Sequence, residues 1–185
     1  ILCASMLFPA SVSAEVLGYE ATLDTYTKER NVPKGKMKKV HYYSKVIGEK
    51  REVYVYTPPQ YSKDKKYPVL YLLHGIGCDG SQWISMKADI VLDNMIADGE
   101  SVPCVVVCPS ITPKKNKRTT QAISPENVEA YEKFDQELIG DLMPFINSNY
   151  SVSDKRKDTA VAGLFMGGME SLLVGFSHLN RFNHI

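Results

Sequence analysis

The sequence predicts an α/β protein with a mainly parallel sheet flanked by helices. Continuously apolar runs at 67–75, 102–109 and 159–163 are typical of strands that are buried on both faces. Stretches with helical spacing of apolar residues lie between these runs and after the last one. Strands and helices that alternate in this way pack as parallel strands with helices on both faces. The 185-residue chain is therefore expected to form one such domain.

An antiparallel hairpin is predicted ahead of the buried strands. Residues 37–47 and 51–57 alternate apolar with polar side chains, are rich in Val and Tyr, and flank Gly48. Pro58 and Pro59 end the second strand, because proline cannot donate to a strand ladder.

Three helices are predicted from the spacing of apolar residues. The first covers 82–99 and ends at Gly99, and the second covers 127–148, with Pro144 expected to kink its last turns. The third begins at about residue 166, directly after the strand at 159–163.

The beginning of the chain resembles the end of a secretory signal peptide. Residues 1–14 are apolar and then small, and Val12 and Ala14 suit the −3 and −1 positions of a cleavage site. A buried N-terminal strand is the alternative interpretation. We expect a truncated signal peptide at 1–14, an N-terminal segment at 15–36 and a secreted domain at 37–185. About 14 residues are too few to span a bilayer, so no membrane anchor is expected.

The charge and the cysteines exclude several kinds of partner and cofactor. A net charge of +1 gives no field that would attract nucleic acid. Cys104 and Cys108 lie on one predicted strand about 13 Å apart, too far for a disulfide, and Cys3 lies in the leader. The cysteines and histidines show no zinc-ligand spacing. We therefore expect buried free thiols and neither a metal nor a cofactor.

The stretch AVAGLFMGGMESLLVG, residues 160–175, predicts a strand, a sharp turn and a helix. α/β-Hydrolases present their nucleophile on such an elbow, with the pattern G-x-S-x-G. Gly163 and Gly167 occupy the two glycine positions of this pattern, but Phe165 occupies the position of the serine.

A second stretch, LLHGIGCDGSQW at 72–83, places a glycine-containing loop directly after a buried strand. Gly75 and Gly77 allow the backbone to turn close to a ligand. Open α/β sheets place their sites at the carboxyl ends of the strands, where this loop and the elbow would meet. Backbone N–H groups there could stabilise an oxyanion, and the candidates are Ile76 and Met166.

From residue 37 to its end, the sequence resembles the feruloyl and acetyl-xylan esterases, carbohydrate esterases related to esterase D-like α/β-hydrolases. The segments that carry the resemblance are YPVLYLLHGIG, KADIVLDNMIADG, LIGDLMPFINSNYSV and AVAGLFMGG. The resemblance implies an α/β-hydrolase fold, a serine at position 165, and a small-molecule or polysaccharide ester as substrate. It also implies an Asp and a His in loops after later strands. Because 20 residues follow Phe165, the domain is expected to lack these partners and its C-terminal strands.

Other side chains do not offer a replacement mechanism. Ser171 lies a turn and a half into the predicted helix, Ser81 and Ser85 have no identifiable base, and His74 is expected to be structural. Three hypotheses remain: an esterase-family protein that is inactive as written, a pseudoenzyme that binds aromatic or acetylated sugars, and a structural fragment without activity. In the second, Phe165 would offer an aromatic face at the pocket floor.

Overall fold

A mixed sheet of five strands forms the centre of the protein in the computed structural model, which describes residues 26–112 and 133–185. The strands are β1 (Lys36–Ser44), β2 (Glu49–Thr57), β3 (Val69–Leu73), β4 (Val105–Pro109) and β5 (Thr159–Gly163). Their order across the sheet is β1-β2-β4-β3-β5.

The strand directions follow the sequence pattern. β1 and β2 form an antiparallel hairpin, and β2 pairs antiparallel with β4. The continuously apolar strands β4, β3 and β5 run parallel to one another. The predicted α/β fold, with a hairpin leading into parallel strands between helices, is confirmed.

The predicted helix at 82–99 is two helices, so its prediction as one element is wrong. α1 spans Gln82–Ser85 and α2 spans Ala88–Ala97. Lys87 separates them with φ of 59°, a left-handed conformation that ends one helix before the next begins.

The later helices agree with the predicted positions where the structure describes them. Helical backbone runs from 133, through a π-helical turn at Leu138–Leu142, into α3 (Met143–Asn149). Pro144 lies in the first turn of α3 and has no backbone N–H to donate to the preceding turn. The π turn directly before α3 accommodates the loss of that hydrogen bond. Residues 127–132 of the predicted helix lie outside the described residues. α4 spans Met166–Ser177, as expected.

Buried side chains pack on both faces of the sheet. Tyr71 and Leu73 of β3 belong to the larger cluster, which includes Leu138 and Leu142 of the π turn. The smaller cluster centres on Tyr56, Val106 and Cys108, against which Trp83 and Leu92 pack. α4 contributes Val174 to the larger cluster but leaves several large apolar side chains exposed: Met169, Leu172, Leu173 and Phe176.

The segment before β1 lies against α2. The buried Asn94 side chain donates hydrogen bonds to the carbonyl oxygens of Tyr26 and Lys28, each at 2.8 Å. Arg30 pairs with Asp98 through two bonds of 2.6 and 2.8 Å. The predicted leader lies outside the described residues. No helix in the described parts of the chain has the length and apolar character needed to cross a membrane.

The described cysteines are all free. Cys108 is buried and Cys104 is half-buried, and burial raises the pKa of these thiols to about 12 and about 11. Cys78 is exposed in the loop after β3, so the expectation of buried thiols is wrong at that position.

Candidate active site

The elbow and the glycine-containing loop meet at one edge of the sheet. Leu73, the last residue of β3, pairs with Gly163, the last residue of β5. The Leu164 N–H donates to the Leu73 carbonyl oxygen at 3.1 Å, which extends this pairing beyond the strands. Ile76 and Met166 each follow three residues after the paired strand ends. The parallel register therefore brings the two candidate oxyanion donors to the same edge.

The elbow glycines allow α4 to approach the strands closely. A Cβ atom on Gly163 would collide with the backbone of Gly167, and a Cβ on Gly167 would collide with the carbonyl oxygens of Leu73 and His74. The opposing atoms are backbone atoms, which cannot move aside as a flexible side chain could. Both glycines are thus required by the packing of the fold.

We expect Gly167→Ala to lower the free energy of unfolding by about 1–3 kcal/mol, because the new methyl group overpacks a rigid backbone contact. Gly140→Ala is the matched control, since nothing lies within 4 Å of a Cβ at that position. It should be neutral or stabilising by about 0.4–1 kcal/mol. Urea unfolding of both variants measures the difference, and equal stabilities would contradict the close approach at Gly167.

Phe165 has the strained backbone that the elbow pattern predicts. Its φ of 52° and ψ of −115° lie in a region that L residues rarely adopt. Its side chain is 80% exposed, so little burial compensates for the strain. The ring projects from the sheet edge into solvent, and the described residues do not enclose it as a pocket floor.

We expect Phe165→Gly to raise the free energy of unfolding by about 1 kcal/mol. Relief of roughly 1–3 kcal/mol of backbone strain exceeds the roughly 0.4–1 kcal/mol of entropy that a glycine adds to the unfolded chain. Phe165→Ala keeps the Cβ atom and the strain, and it should leave stability nearly unchanged. Thermal and urea unfolding compare the two variants, and equal effects would show that the elbow is unstrained.

His74 and Gln82 hold the loop that carries Ile76. The Ile111 N–H donates to His74 Nε2 at 3.0 Å, so His74 carries its proton on Nδ1 and donates it to the Gly75 carbonyl oxygen at 2.7 Å. Gln82 Oε1 accepts the Gly75 N–H at 2.7 Å. Both ring nitrogens of His74 are thereby engaged, and the ring is fully buried. This geometry gives His74 a structural role.

Burial lowers the pKa of His74 below its ordinary value of 6.5, which makes its contribution to stability depend on pH. Well above pH 6.5 the imidazole is neutral in both the folded and the unfolded chain. Below that value the unfolded imidazole takes up a proton first, so the free energy of unfolding should fall until folded His74 also titrates. Urea unfolding between about pH 8 and pH 5 measures this loss.

The variant that tests this pH dependence is His74→Gln, whose side chain takes up no proton in this range and which should flatten the decline. An NMR titration of His74 in the unaltered chain gives a direct check that does not depend on a variant folding. A midpoint at or above 6.5 would contradict the predicted shift.

The backbone N–H groups of Ile76 and Met166 have no hydrogen-bond partner among the described residues. Met166 is the first residue of α4, where helical N–H groups lack intrahelical acceptors. The positive end of the α4 dipole adds to the attraction for negative charge at this edge. Two unpartnered N–H groups therefore lie at the sheet edge where the sequence predicts an oxyanion site, and Phe165 supplies no nucleophilic atom there.

The described histidines do not supply a general base at position 165. His178 follows α4, about 18 Å along the axis from Met166, and pairs with Asp135 at 2.7 Å. His184 pairs in parallel with Ala160, before the carboxyl end of β5.

The candidate serines are also bound elsewhere. Ser171 is buried and donates to the Gly167 carbonyl oxygen at 2.7 Å. Ser81 Oγ donates to Asp79, and Ser85 Oγ donates to the Ser81 carbonyl oxygen at 3.3 Å. Within residues 26–112 and 133–185, no group of three His, Cys, Asp or Glu side chains is placed to hold a metal ion.

The model of the Esterase family matches residues 44–185. A curated relative, the endo-1,4-beta-xylanase/feruloyl esterase of Xylanibacter ruminicola, is 33% identical over 168 residues, which are 87% of this chain and 22% of that protein. Endo-1,4-beta-xylanase Y of Acetivibrio thermocellus is 29% identical over 144 residues, 71% of this chain and 12% of that protein. The chain thus spans less than a quarter of the length of these relatives.

Solved structures show the same architecture. The CE1 ferulic acid esterase of Anaeromyces mucronatus in complex with ferulic acid superposes with a TM-score of 0.76 at 30% identity, covering 88% of this chain and 61% of that one. A feruloyl esterase module of Clostridium thermocellum complexed with sinapinate has a TM-score of 0.71 at 26% identity, covering 86% of this chain and 55% of that one.

Proposed function

This chain belongs to the Esterase family, and from that premise we propose that it carries the oxyanion-binding part of a carbohydrate esterase for feruloyl or acetyl esters of plant cell-wall polysaccharide. The observation that carries the proposal is the pair of unpartnered N–H groups, Ile76 and Met166, beside the strained residue 165. Relatives named as feruloyl esterases support this substrate class.

We propose that the chain as written does not hydrolyse esters. Acyl transfer begins when an oxygen attacks the ester carbonyl, and the phenyl ring of Phe165 has no atom that can do so. The two N–H groups could still hold the carbonyl oxygen, with hydrogen bonds that strengthen as negative charge develops. The site would then bind an ester without forming an acyl intermediate.

A non-catalytic binder is the second candidate, and the exposed ring of Phe165 favours it. An aromatic ring that is 80% exposed at this edge can stack against a phenolic acyl group. An acetyl group has no ring to stack, so this candidate selects feruloyl over acetyl esters.

The test measures turnover and binding in the same samples. The chain as written and its Phe165→Ala variant are incubated with methyl ferulate and with acetylated xylobiose, and product release and binding are followed. Methyl ferulate that binds the unaltered chain, is not cleaved and is lost in the variant supports the binder. If methyl ferulate is neither bound nor cleaved, the binder is contradicted and the inactive esterase remains. Cleavage by the unaltered chain contradicts both candidates.

We further propose that the protein is secreted, on the basis of the leader-like residues 1–14. Export of a reporter fused behind a segment that includes Val12 and Ala14, and its loss when Ala14 is replaced by Arg, would support this. A reporter retained in the cytoplasm in both cases would contradict it.

A further inference from the structure

The solvent side of α4 is apolar. Large apolar side chains stand there at helical spacing, and one more follows just after the helix ends: Met169, Leu172, Leu173, Phe176 and Leu179, which together are the α4 face. These five side chains are 47% to 65% exposed. A helix at a protein surface normally presents charged and polar residues to solvent, and a helix that is apolar on all sides is normally buried. The α4 face therefore indicates that another apolar surface covers it.

The opposite side of α4, which packs on the sheet, is mostly small or polar. Its buried residues are Gly167, Glu170, Ser171, Val174 and Gly175. Because Glu170 is the one charged residue in Met166–Ser177 and is buried, the α4 face carries no charge. Two copies of this face can meet without bringing like charges together.

The charges around α4 disfavour a membrane surface as the partner. Helices that lie on membranes are rich in Lys and Arg on the side next to their apolar face. The sequence has no Lys or Arg from residue 158 to residue 180, and the whole chain has a net charge of +1. The apolar face of α4 thus lacks the cations that hold such a helix on anionic lipids.

The spacing of the α4 face fits a second copy of itself. Its centre lies between Leu172 and Leu173, with Met169 three residues before this pair and Phe176 three residues after it. A two-fold axis through the centre makes the two helices antiparallel. It places Leu172 against Leu173 of the second copy, and Met169 against Phe176 of the second copy. Such an isologous contact uses the same residues on both copies, and this spacing is the one with which helices pack together.

The exposed apolar area reaches the size that a specific interface needs. Phe165, four residues before Met169, and Ile185, which lies against Gly175, extend the α4 face. The two Phe side chains offer on the order of 100–200 Å² each. The four aliphatic side chains of the face and Ile185 offer on the order of 50 Å² each. Two copies would bury about 900–1,300 Å², and specific interfaces begin at about 1,000 Å².

We propose that α4 is the interface of a symmetric homodimer, in which the α4 faces of two copies of this chain pack antiparallel. Contiguous apolar patches larger than a few hundred Å² are rare on monomers and mark interaction sites. The lack of charge, the symmetric spacing and the area together favour a second copy as the occupant. This inference goes beyond the proposed function and does not depend on ester binding.

Sedimentation velocity of the full chain over a series of concentrations tests the proposal. We expect a monomer–dimer equilibrium with no larger species. Leu172→Glu places two carboxylates beside the two-fold axis, so it should raise the dissociation constant about 100-fold or more. Val102→Glu is the matched control, because it replaces an exposed apolar side chain outside α4 with the same charge. It should leave the dissociation constant unchanged.

A mixture of two variants tests the antiparallel arrangement. Leu173→Lys should be monomeric for the same reason as Leu172→Glu. An equimolar mixture of the two should dimerise, because the introduced carboxylate of one copy faces the introduced ammonium of the other. Both positions are exposed, so the variants should fold as the parent does, and circular dichroism checks this.

Other results would overturn the proposal. These are a parent chain that stays monomeric, assemblies that grow beyond the dimer, a dimer that persists in Leu172→Glu, a dimer that is lost in Val102→Glu, and a mixture that stays monomeric. A monomeric parent that binds phosphatidylcholine vesicles, with binding lost in Leu172→Glu, would assign the α4 face to a lipid surface instead.

Discussion

Replacing Phe165 with serine, in a chimera that extends this chain with a C-terminal segment expected from the family resemblance to carry an Asp and a His, should raise ester hydrolysis about 10⁶-fold over the matching Phe165 chimera. Loss of the nucleophile of a serine hydrolase alone removes about that much activity. The backbone needed to present the hydroxyl is already in place, because residue 165 has a φ of 52° and lies at the same sheet edge as Ile76 and Met166. The substitution therefore adds the missing atom to an assembled elbow.

The same substitution in the chain as written should leave hydrolysis undetectable. A serine hydroxyl at its ordinary pKa is a weak nucleophile without an adjacent base. His74 cannot provide the base, since both of its ring nitrogens are engaged by Ile111 and Gly75. The effect of serine should thus appear only in the chimera.

A two-by-two comparison measures this prediction. The long chain is a chimera with the C-terminal segment of the Anaeromyces mucronatus ferulic acid esterase, a protein of which this chain covers 61%. Phe and Ser at position 165 are assayed in the short and long chains against a chromogenic aryl ester and a feruloylated sugar. Activity in the short Ser chain would reveal an unidentified base, and equal activity in both long chains would place the nucleophile elsewhere.

The spacing of apolar, polar and glycine residues along the chain predicts the strands and the elbow of this fold. The alternating hairpin and the apolar strands lie where the pattern indicates, and the family match confirms the resemblance to feruloyl and acetyl-xylan esterases. The elbow also follows from local sequence, because Gly163 and Gly167 are needed wherever a helix packs this tightly on a strand. These features depend on residues that are close in sequence and on which of their side chains are apolar.

Features that depend on distant contacts could not be predicted. The break at Lys87 has no glycine or proline to indicate it. The bond from the Gly75 N–H to Gln82 Oε1 forms only once the loop after β3 is folded against α1. The contact between Ile111 and His74 joins positions 37 residues apart. The exposure of Phe165 likewise depends on what surrounds the elbow.

The buried ion pair between Arg51 and Glu137 is such a long-range feature, and its disruption should have the largest effect on stability. Arg51 Nε donates to Glu137 Oε1 at 3.0 Å, and the Tyr42 hydroxyl donates to the same oxygen at 2.6 Å. Glu137 is fully buried and Arg51 is 5% exposed. These contacts join the β1–β2 hairpin to the helical segment at 133–142 that leads into α3.

We expect Glu137→Ala to lower the free energy of unfolding by about 3–5 kcal/mol, because it removes the buried counter-charge of Arg51 and leaves the Arg51 Nε–H and the buried Tyr42 hydroxyl without their acceptor. Glu137→Gln keeps an acceptor but removes the charge, so its loss should be smaller. The double variant Arg51→Met with Glu137→Met should recover most of the stability, since two apolar side chains leave no buried charge. Urea unfolding at pH 7 of Arg51→Met, Glu137→Met and the double variant completes a double-mutant cycle, and additive single effects would contradict the coupling.

The same change should reach the oxyanion loop through a chain of hydrogen bonds. Arg51 also donates to the carbonyl oxygens of Ser110 and Thr112, at 2.8 and 2.7 Å, and so holds the turn between them. The N–H of Ile111 in that turn binds His74, which in turn holds the Gly75 carbonyl. Without Glu137, Arg51 should leave this turn for solvent, and amide hydrogen exchange at Gly75 and Ile76 should accelerate. Exchange that stays unchanged at these amides, while the hairpin loosens, would show that the loop is held by His74 and Gln82 alone.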